Sequence, residues 1–236
     1  MTVIDFNTEK GIYLFKMHDL DTEYHSHPAI EIILVERGSF QMKTEGQEYT
    51  NLKFAVIDAN KEHRLYAKDC DLRVLMVEHH SQFTKRILQS HNVELPEGYY
   101  QTATRFPSAL LNKIQSELLD AETPTEYDPR IADIIDYVDN HELDYRTMLA
   151  TLKPMVNLSE SRISHLFKAN VGLSLKKYLV WSKLRNTIKQ HLDREEDLFS
   201  ALIRSGFYDQ PHFSNTFKSM LGINPTRVYN SRTLQG

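Results

Sequence analysis

Residues 198–229 read LFSALIRSGFYDQPHFSNTFKSMLGINPTRVY, and this stretch predicts a helix, a tight turn and a second helix. Gly206 stands where the chain must reverse, a position that favours a residue tolerant of positive φ. Asp209 is suited to cap the second helix, and Pro211 fits its first turn. The pattern is typical of a helix-turn-helix, whose usual ligand is duplex DNA. The apolar residues recur at nearly helical spacing, at Leu198, Leu202, Phe207, Phe213, Phe217 and Leu221.

A second segment of the same kind precedes this one. Residues 148–172 read MLATLKPMVNLSESRISHLFKANVG, in which Ser159 is suited to cap a helix that Gly172 ends. Residues 173–192 lie between the two segments and predict a connecting helix of about 18 residues, or ~27 Å. Such a helix can hold the two second helices about one turn of DNA apart, roughly 34 Å, in successive major grooves. The inner face of the earlier segment is predicted to hold Ile163, Leu166 and Phe167.

Charge is divided unevenly along the chain. The 236 residues have a formal charge of −4, yet residues 144–236 hold 14 basic and 7 acidic side chains, a charge of +7, and residues 1–143 carry −11. A basic carboxy-terminal region suits a polyanion, whereas an acidic amino-terminal region does not. Uneven charge also arises by chance, so its weight comes from its coincidence with the helix-turn-helix pattern.

The composition limits the class of protein. Hydrophobic residues make up 41% and charged residues 25%, which is ordinary for a globular chain. No apolar run approaches the ~20 residues that cross a bilayer. The first residues, MTVIDFNTEKGIYLF, lack a basic leader and a cleavage site. We therefore expect a cytoplasmic protein with no membrane partner, in which the single cysteine, Cys70, is an inert hydrophobe rather than a redox sensor.

The remaining sequence predicts an α+β protein of two domains. Strand-like runs such as IEIILVERGSFQMKTEGQEY, punctuated by Gly38 and Gly46, predict a small barrel or jelly roll over residues 1–80. The pattern then becomes helical, and Leu110, Ile114 and Leu118 share one face, which would serve subunit pairing or pack against the barrel. The expected divisions are the barrel (1–80), a helical dimerisation or packing segment (81–121), a linker (122–128) and an all-α DNA-binding domain (129–236). Within that domain we expect the first helix-turn-helix at about 146–172, the connecting helix at about 174–192 and the second helix-turn-helix at about 197–221.

Residues from about 129 to 230 resemble the DNA-binding domain of the AraC/XylS family of bacterial transcription regulators. In the earlier segment, the resemblance rests on LSESRISHLFK and Gly172. It implies an amino-terminal cupin-like sensor barrel, binding to double-stranded promoter DNA, and contact with RNA polymerase, more often in activation than repression. A homodimer located in the bacterial cytoplasm at the nucleoid is expected. The matching signature comprises Gly206-Phe207, Asp209-Gln210, Phe213, Phe217-Lys218, Gly222, Pro225 and Tyr229.

The resemblance places base-reading side chains on the exposed face of each second helix. Gln and Asn can bond adenine, and Arg can read guanine. Phosphate contacts would set register and affinity. Any single member could instead be an ordinary solvated side chain. The predicted base-reading residues are Ser161, Arg162, His165, Gln210, His212 and Asn215, and the predicted phosphate contacts are Ser159, Lys168 and Lys218.

The chain departs from the family pattern at several positions. Lys153 stands where a small inner residue is usual, and Pro154 follows it. Asn157 replaces a turn glycine. Family members often have Arg where this chain has His165 and Asn215, and the connecting helix usually has Arg where this chain has Lys183. The loss of Arg at His165 and Asn215 predicts weaker guanine recognition and A·T-richer targets.

His25, His27, Glu31 and Gly38 follow the spacing of the first cupin motif, and His63 lies further along. Metal-binding cupins use three His and one Glu, a set that suits Mn, Fe, Ni or Zn. The second motif is altered, however, because Asp58 and Asn60 stand where Pro and Gly are usual. We therefore expect no cofactor, and we assign these residues to hydrogen bonding or to an effector pocket, with metal binding the less favoured reading. The expected pocket lining is Tyr24, His25, His27, Glu31, His63 and Tyr66.

The sequence thus predicts a sequence-specific transcription regulator, controlled by an unidentified small-molecule or protein signal at the barrel. One alternative is a metal-dependent cupin enzyme with an accessory helical domain. Another is a regulator of the same type that is controlled by a partner protein. The paired helix-turn-helix segments and the basic carboxy-terminal region argue against the enzyme.

Overall fold

A computed structural model describes residues 2–78, 81–107, 109–120, 127–141, 144–193 and 197–225. Two compact units divide the chain: one holds residues up to Pro124 and those from Phe217, and the other is Thr125–Thr216. Most of the predicted linker, residues 122–126, and everything after Pro225, including Tyr229, lie outside the described residues. None of the helices described is long and apolar enough to cross a membrane.

An antiparallel sheet of eight described strands forms the first unit, as the jelly-roll prediction requires. Its strand order is β1-β2-β7-β3-β6-β8, and β4 joins β7 to β5. β7 is 14 residues long and pairs with β2, with β4 near its start and with β3 near its end. Gly38 and Gly46 have φ of 86° and 85° and make the turns before β4 and β5, as predicted. The strands are β1 (Thr2–Asn7), β2 (Ile12–Asp21), β3 (Ile30–Arg37), β4 (Phe40–Thr44), β5 (Gln47–Leu52), β6 (Phe54–Ile57), β7 (Arg64–Val77) and β8 (Tyr99–Thr102).

The segment expected to be helical after the barrel also contains a strand. β8 pairs antiparallel with β6, from Tyr99 opposite Ile57 to Thr102 opposite Phe54. It lies between the helices α1 (Ser81–Ser90) and α2 (Ala109–Asp120), directly after a short 3-10 turn at Pro96–Gly98. Four residues of YYQT are too short a run to show strand periodicity, which is why the sequence did not reveal it.

The apolar face of α2 is buried in the first unit itself. Leu110, Ile114 and Leu118 are at most 4% exposed and belong to one hydrophobic cluster with side chains of β2, β3, β6 and β7. Of the two roles open to this face, packing against the barrel is the one observed. The apolar side chains of this face are therefore covered within the unit, and dimerisation of the chain stays a prediction.

Helices α3 to α8 follow the two predicted helix-turn-helix segments. Pro154 lies inside α4, which continues to Val156 although proline supplies no backbone donor. Lys153, expected at an inner position, is exposed. The connecting helix α6 has 19 residues and is therefore roughly 28 Å long. The bounds are α3 (Pro129–Asn140), α4 (Tyr145–Val156), α5 (Glu160–Val171), α6 (Leu175–Asp193), α7 (Leu198–Arg204) and α8 (Gln210–Leu221).

Candidate nucleic-acid interface and histidine cluster

The first helix-turn-helix consists of α4, a short turn and α5. Asp144 caps α4 by accepting hydrogen bonds from the amides of Arg146 and Thr147, at 2.9 and 3.2 Å. Asn157 ends α4 with φ of 52°, so it adopts the left-handed conformation for which glycine is usual. Ser159 caps α5 by accepting from the amide of Arg162 at 3.4 Å. The predicted cap and turn are confirmed, and they fix where α5 begins.

One side of α5 is exposed and polar, and the other is buried. Ile163 and Phe167 are fully buried, and Phe167 meets the ring of Tyr178 on α6 edge-on, with centroids 5.4 Å apart. Leu166, predicted to be buried with them, is only partly covered. The exposed side presents Ser161, Arg162, His165 and Lys168, all candidates for DNA contact.

The second helix-turn-helix consists of α7, a turn at Gly206 and α8. Gly206 has φ of 77°, and Asp209 caps α8 by accepting from the amide of His212 at 2.8 Å, as predicted. Phe213 and Phe217 are buried and hold α8 in place. The exposed side presents Gln210, His212 and Asn215. Both second helices therefore display the side chains that the sequence assigned to base contact.

Lys183 of the connecting helix supports the turn of the second helix-turn-helix. Its Nζ donates to the carbonyl oxygen of Gly206 at 3.2 Å. This contact ties α6 to the point where the chain leaves α7 for α8. The residue that replaces the family's usual arginine thus has a structural partner.

Lys218, a predicted phosphate contact, is ion-paired in this structure. Its Nζ lies 2.6 Å from Oε1 of Glu23, and both residues belong to the first compact unit. The amide of Glu23 also donates to the carbonyl oxygen of Gly222 at 2.7 Å. Both side chains remain partly exposed, at 38% and 64%, so the pair is open to competition by other ions.

The sequence did not reveal a buried polar group that joins α3 to α6. Arg185 is 2% exposed, and its Nη2 donates to Oδ1 of Asp139 at 2.6 Å. The hydroxyls of Tyr178 and Ser182 donate to the same carboxylate at 3.0 and 2.9 Å. Asp139 is one of three aspartates within α3, with Asp133 and Asp136, and its spacing does not distinguish it from them. Its partner is 46 residues away, a separation at which periodicity carries no signal.

His25, His27, Glu31 and His63 meet inside the first unit, and we call them the barrel cluster. One potential ligand atom from each lies within 4.8 Å of the others, and all four residues are buried. His25 and His63 form an isolated antiparallel bridge, with both backbone hydrogen bonds at 3.0 Å. His25 and His27 do not meet by alternation within one strand. Both precede β3 and lie in the connection from β2.

The buried carboxylate sits between two rings of the barrel cluster. Oε2 of Glu31 lies 3.3 Å from Nε2 of His27 and 3.0 Å from Nε2 of His63. Burial raises the pKa of Glu31, but the hydrogen bond from His27 and the nearby His63 outweigh it and hold that pKa below its ordinary value. Burial, with the neighbouring rings, lowers the pKa of His25 to about 3, so this imidazole is neutral.

The two tyrosines expected in the pocket lie outside the buried group. Tyr24 is 48% exposed and Tyr66 is 40% exposed. Tyr66 instead lines a recess of about 250 Å³ with Gln41, Lys43 and Arg64. The expected pocket is therefore divided between an interior cluster and two surface residues. Cys70 is buried, and burial raises the pKa of its thiol, which agrees with an unreactive side chain.

Comparison with known proteins agrees with this architecture. A helix-turn-helix domain family, HTH_18, matches residues 154–231. The arabinose operon regulatory protein of Salmonella typhimurium is 32% identical over 102 residues, which are 42% of this chain and 35% of that protein. The Escherichia coli protein of the same name is 28% identical over 153 residues, 63% of this chain and 51% of that protein. The chain thus spans about half or less of the length of these relatives.

A similar fold occurs in ToxT from Vibrio cholerae. One crystal structure of an apo variant has a TM-score of 0.58 at 12% identity and covers 96% of this chain and 99% of that one. A crystal structure of ToxT from strain O395 has a TM-score of 0.57 at 10% identity and covers 95% of this chain and 98% of that one. The fold and sites define a class of protein in which a cupin-like barrel is joined to paired helix-turn-helix segments. Residues 154–231 match a helix-turn-helix family and the similar relatives are regulatory proteins, which agrees with the resemblance of this chain to the AraC/XylS family.

Proposed function

We propose that this chain is a sequence-specific DNA-binding regulator of transcription. The observation that supports this most directly is the pair of capped helices, α5 and α8, with polar side chains exposed on one side and aromatic residues buried on the other. Helix α6 contacts both α5 and α7, so one helix packs against both helix-turn-helix segments. The excess of basic side chains in residues 144–236 favours a polyanionic ligand.

The base contacts in this proposal are divided between the two helices. Arg162 would read guanine and Gln210 adenine, because their side chains match the paired acceptor and donor groups of those bases in the major groove. Ser161, His165, His212 and Asn215 would add further base contacts. Lys168, Lys218 and the hydroxyl of Ser159 would bind phosphate and set the register. The Ser159 hydroxyl can still donate, since in capping α5 it acts as an acceptor.

The finer parts of the proposal follow from the family. The protein would activate promoters in the cytoplasm by contacting RNA polymerase, in response to a signal received by the barrel. A homodimer is part of the proposal, but its interface would use a surface other than the apolar face of α2. A cupin enzyme is the less favoured function, since the similar relatives are regulatory proteins.

Selection of binding sites from random duplex DNA by the purified full chain tests this function. We expect enrichment of two short elements about one helical turn apart, and binding of the selected duplex at least 1,000-fold tighter than a scrambled one at physiological salt, at the lower end of specific recognition. Arg105→Ala is the matched control for charge, because Arg105 is exposed in the barrel unit, far in sequence from α5 and α8. Equal affinity for selected and scrambled duplexes would refute the proposal.

A further inference from the structure

A small recess opens on the sheet where β4 meets β7, and we call it the β4–β7 recess. Its volume is about 250 Å³, and it is lined by Gln41, Lys43, Arg64 and Tyr66. Drug-sized binding sites measure ~300–1,000 Å³, so the β4–β7 recess suits a smaller molecule. Binding here would not require DNA, since none of the four residues belongs to α5 or α8.

Strand register brings the four lining side chains onto one face of the sheet. In the antiparallel pair of β4 and β7, Gln41 stands opposite Tyr66, and Lys43 stands opposite Arg64. The residue between the two lining positions of β4, Met42, is fully buried. Because successive side chains of a strand point to opposite faces, the lining side chains lie on the solvent face.

Two positive charges therefore occupy directly opposite positions in an acidic part of the chain, since residues 1–143 carry −11. Like charges so placed repel one another and destabilise a strand pair. Each cation has a carboxylate on the strand outside the pair: Lys43 lies 3.0 Å from Glu48 of β5, and Arg64 lies 3.3 Å from Asp21 of β2. These four side chains are between 40% and 49% exposed, so both ion pairs are weak. An anion between the two cations would relieve their repulsion.

The side chains of the β4–β7 recess also have unused hydrogen-bonding groups. Arg64 has five N–H donors, and the contact with Asp21 at 3.3 Å is the single hydrogen bond its side chain makes to the described residues. Charge-assisted bonds usually measure ~2.7–2.9 Å, so the guanidinium is loosely held. The amide of Gln41 and the hydroxyl of Tyr66 have no partner within the described part of the chain. All these groups are available to a ligand.

We propose that the β4–β7 recess binds a small phosphate monoester, whose ring packs against Tyr66. A phosphate monoester carries about −1.5 to −2 charges at neutral pH, which balances the two cations. The planar guanidinium of Arg64 can bind two phosphate oxygens at once, and Lys43 adds a point charge. The amide of Gln41 would donate to the remaining oxygen. Tyr66 is 40% exposed and offers a ring face to the organic part of the ligand.

Calorimetric titration of the full chain with phenyl phosphate tests this proposal. We expect saturable binding at one site per chain, and no saturable binding of phenol, which has the ring without the charge. Arg64→Gln and Lys43→Gln should each weaken phenyl phosphate binding about tenfold, because a bond to a charged group contributes on that order. Lys16→Gln is the matched control and should behave like the wild type. Lys16 is an exposed cation of the same sheet, and it pairs with Glu36 at 2.9 Å.

Two further substitutions test the ring contact and the location of the site. Tyr66→Leu should weaken phenyl phosphate binding about threefold or more and leave inorganic phosphate binding unchanged, whereas Tyr66→Phe should retain both. Arg162→Ala removes a cation from the proposed DNA contacts and should not alter the titration.

Thermal unfolding identifies the folded variants, and the wild-type titrations stand whether or not a variant folds. Absence of saturable phenyl phosphate binding by the wild-type chain overturns the proposal. So does binding that persists unchanged in folded Arg64→Gln and Lys43→Gln, or that is lost in Lys16→Gln or Arg162→Ala. Equal weakening of phenyl phosphate and inorganic phosphate in Tyr66→Leu contradicts the ring contact. DNA binding measured on the same samples shows separately whether the proposed function holds.

Discussion

Two side chains carry most of the sequence recognition proposed here. Arg162 and Gln210 both occupy the first turn of a capped helix, where a reading helix usually meets the base edges. Neither is buried, so its rotamer is free to adapt to a base pair. His165 and Asn215 have less capacity to read guanine than arginine would, which favours A·T-richer targets.

Arg162→Ala and Gln210→Ala should each relax preference at one base position by about 1–3 kcal/mol. The reason is that each bidentate contact discriminates at a single base pair. Fluorescence anisotropy with duplexes substituted at every position would measure it. Arg105→Ala should leave the profile unchanged. A loss spread evenly over all positions would assign the two residues to the phosphate backbone instead.

The caps and turns are the parts of these elements that the sequence predicted best. Ser159, Asp209 and Gly206 act within a few residues of their own position, so their chemistry can be recognised locally. Contacts distant in sequence could not be predicted in this way. The pairing of Asp139 with Arg185, the burial of α2 and the strand β8 all depend on partners that periodicity does not identify. The barrel cluster was predicted in part, because the sequence shows the spacing of its residues but not how their side chains meet.

Gly206→Ala should destabilise the second unit by about 1–2 kcal/mol, because a residue with Cβ resists the left-handed conformation at φ of 77°. Gly206→Asn should cost less, since asparagine already adopts this conformation at Asn157. Urea denaturation followed by the fluorescence of Trp181, the single tryptophan, would measure both, because Trp181 is buried in α6. An equal cost for Ala and Asn would contradict the conformational explanation.

Asp139→Ala should destabilise the second unit more strongly, by about 3 kcal/mol, because it leaves Arg185 buried without its carboxylate. Asp133→Ala is the matched control, since Asp133 is exposed on the same helix and should change stability little. The same fluorescence assay applies. Similar losses in the two variants would show that the effect belongs to α3 as a helix and not to the buried pair.

At the scale of the whole molecule, the division of charge and self-association bear on how the chain would bind DNA. The acidic amino-terminal part and the basic carboxy-terminal part differ by 18 formal charges, from −11 to +7. A polyanionic ligand is favoured only by the second of these. Any self-association must also avoid the face of α2 that the barrel already covers.

Lys218→Ala should weaken binding to all duplexes about equally and reduce the slope of log affinity against log salt by about one. A lysine that neutralises one phosphate releases about one counterion. Anisotropy titrations across a range of salt concentrations would measure the slope, with Lys113→Ala on exposed α2 surface as the control. A change confined to one base position would contradict a phosphate role.

Ile114→Ala should destabilise the first unit by about 2–5 kcal/mol, because Ile114 is fully buried against the sheet. The dissociation constant of any dimer should not change under conditions where the variant is folded. Chemical denaturation and sedimentation analysis would measure the two quantities. If the variant has normal stability but no longer self-associates, the prediction is wrong and this face is a subunit interface.

Because α6 packs against both helix-turn-helix segments, it also limits how the sequence can diverge. One residue inserted into α6 would rotate everything after it by about 100° relative to what comes before, because a turn holds 3.6 residues. The two reading surfaces would then lose their common angular phase. The protein can therefore acquire a new DNA-sequence specificity through substitutions of the exposed side chains on α5 and α8. Insertions and deletions within α6 should be rare among functional descendants.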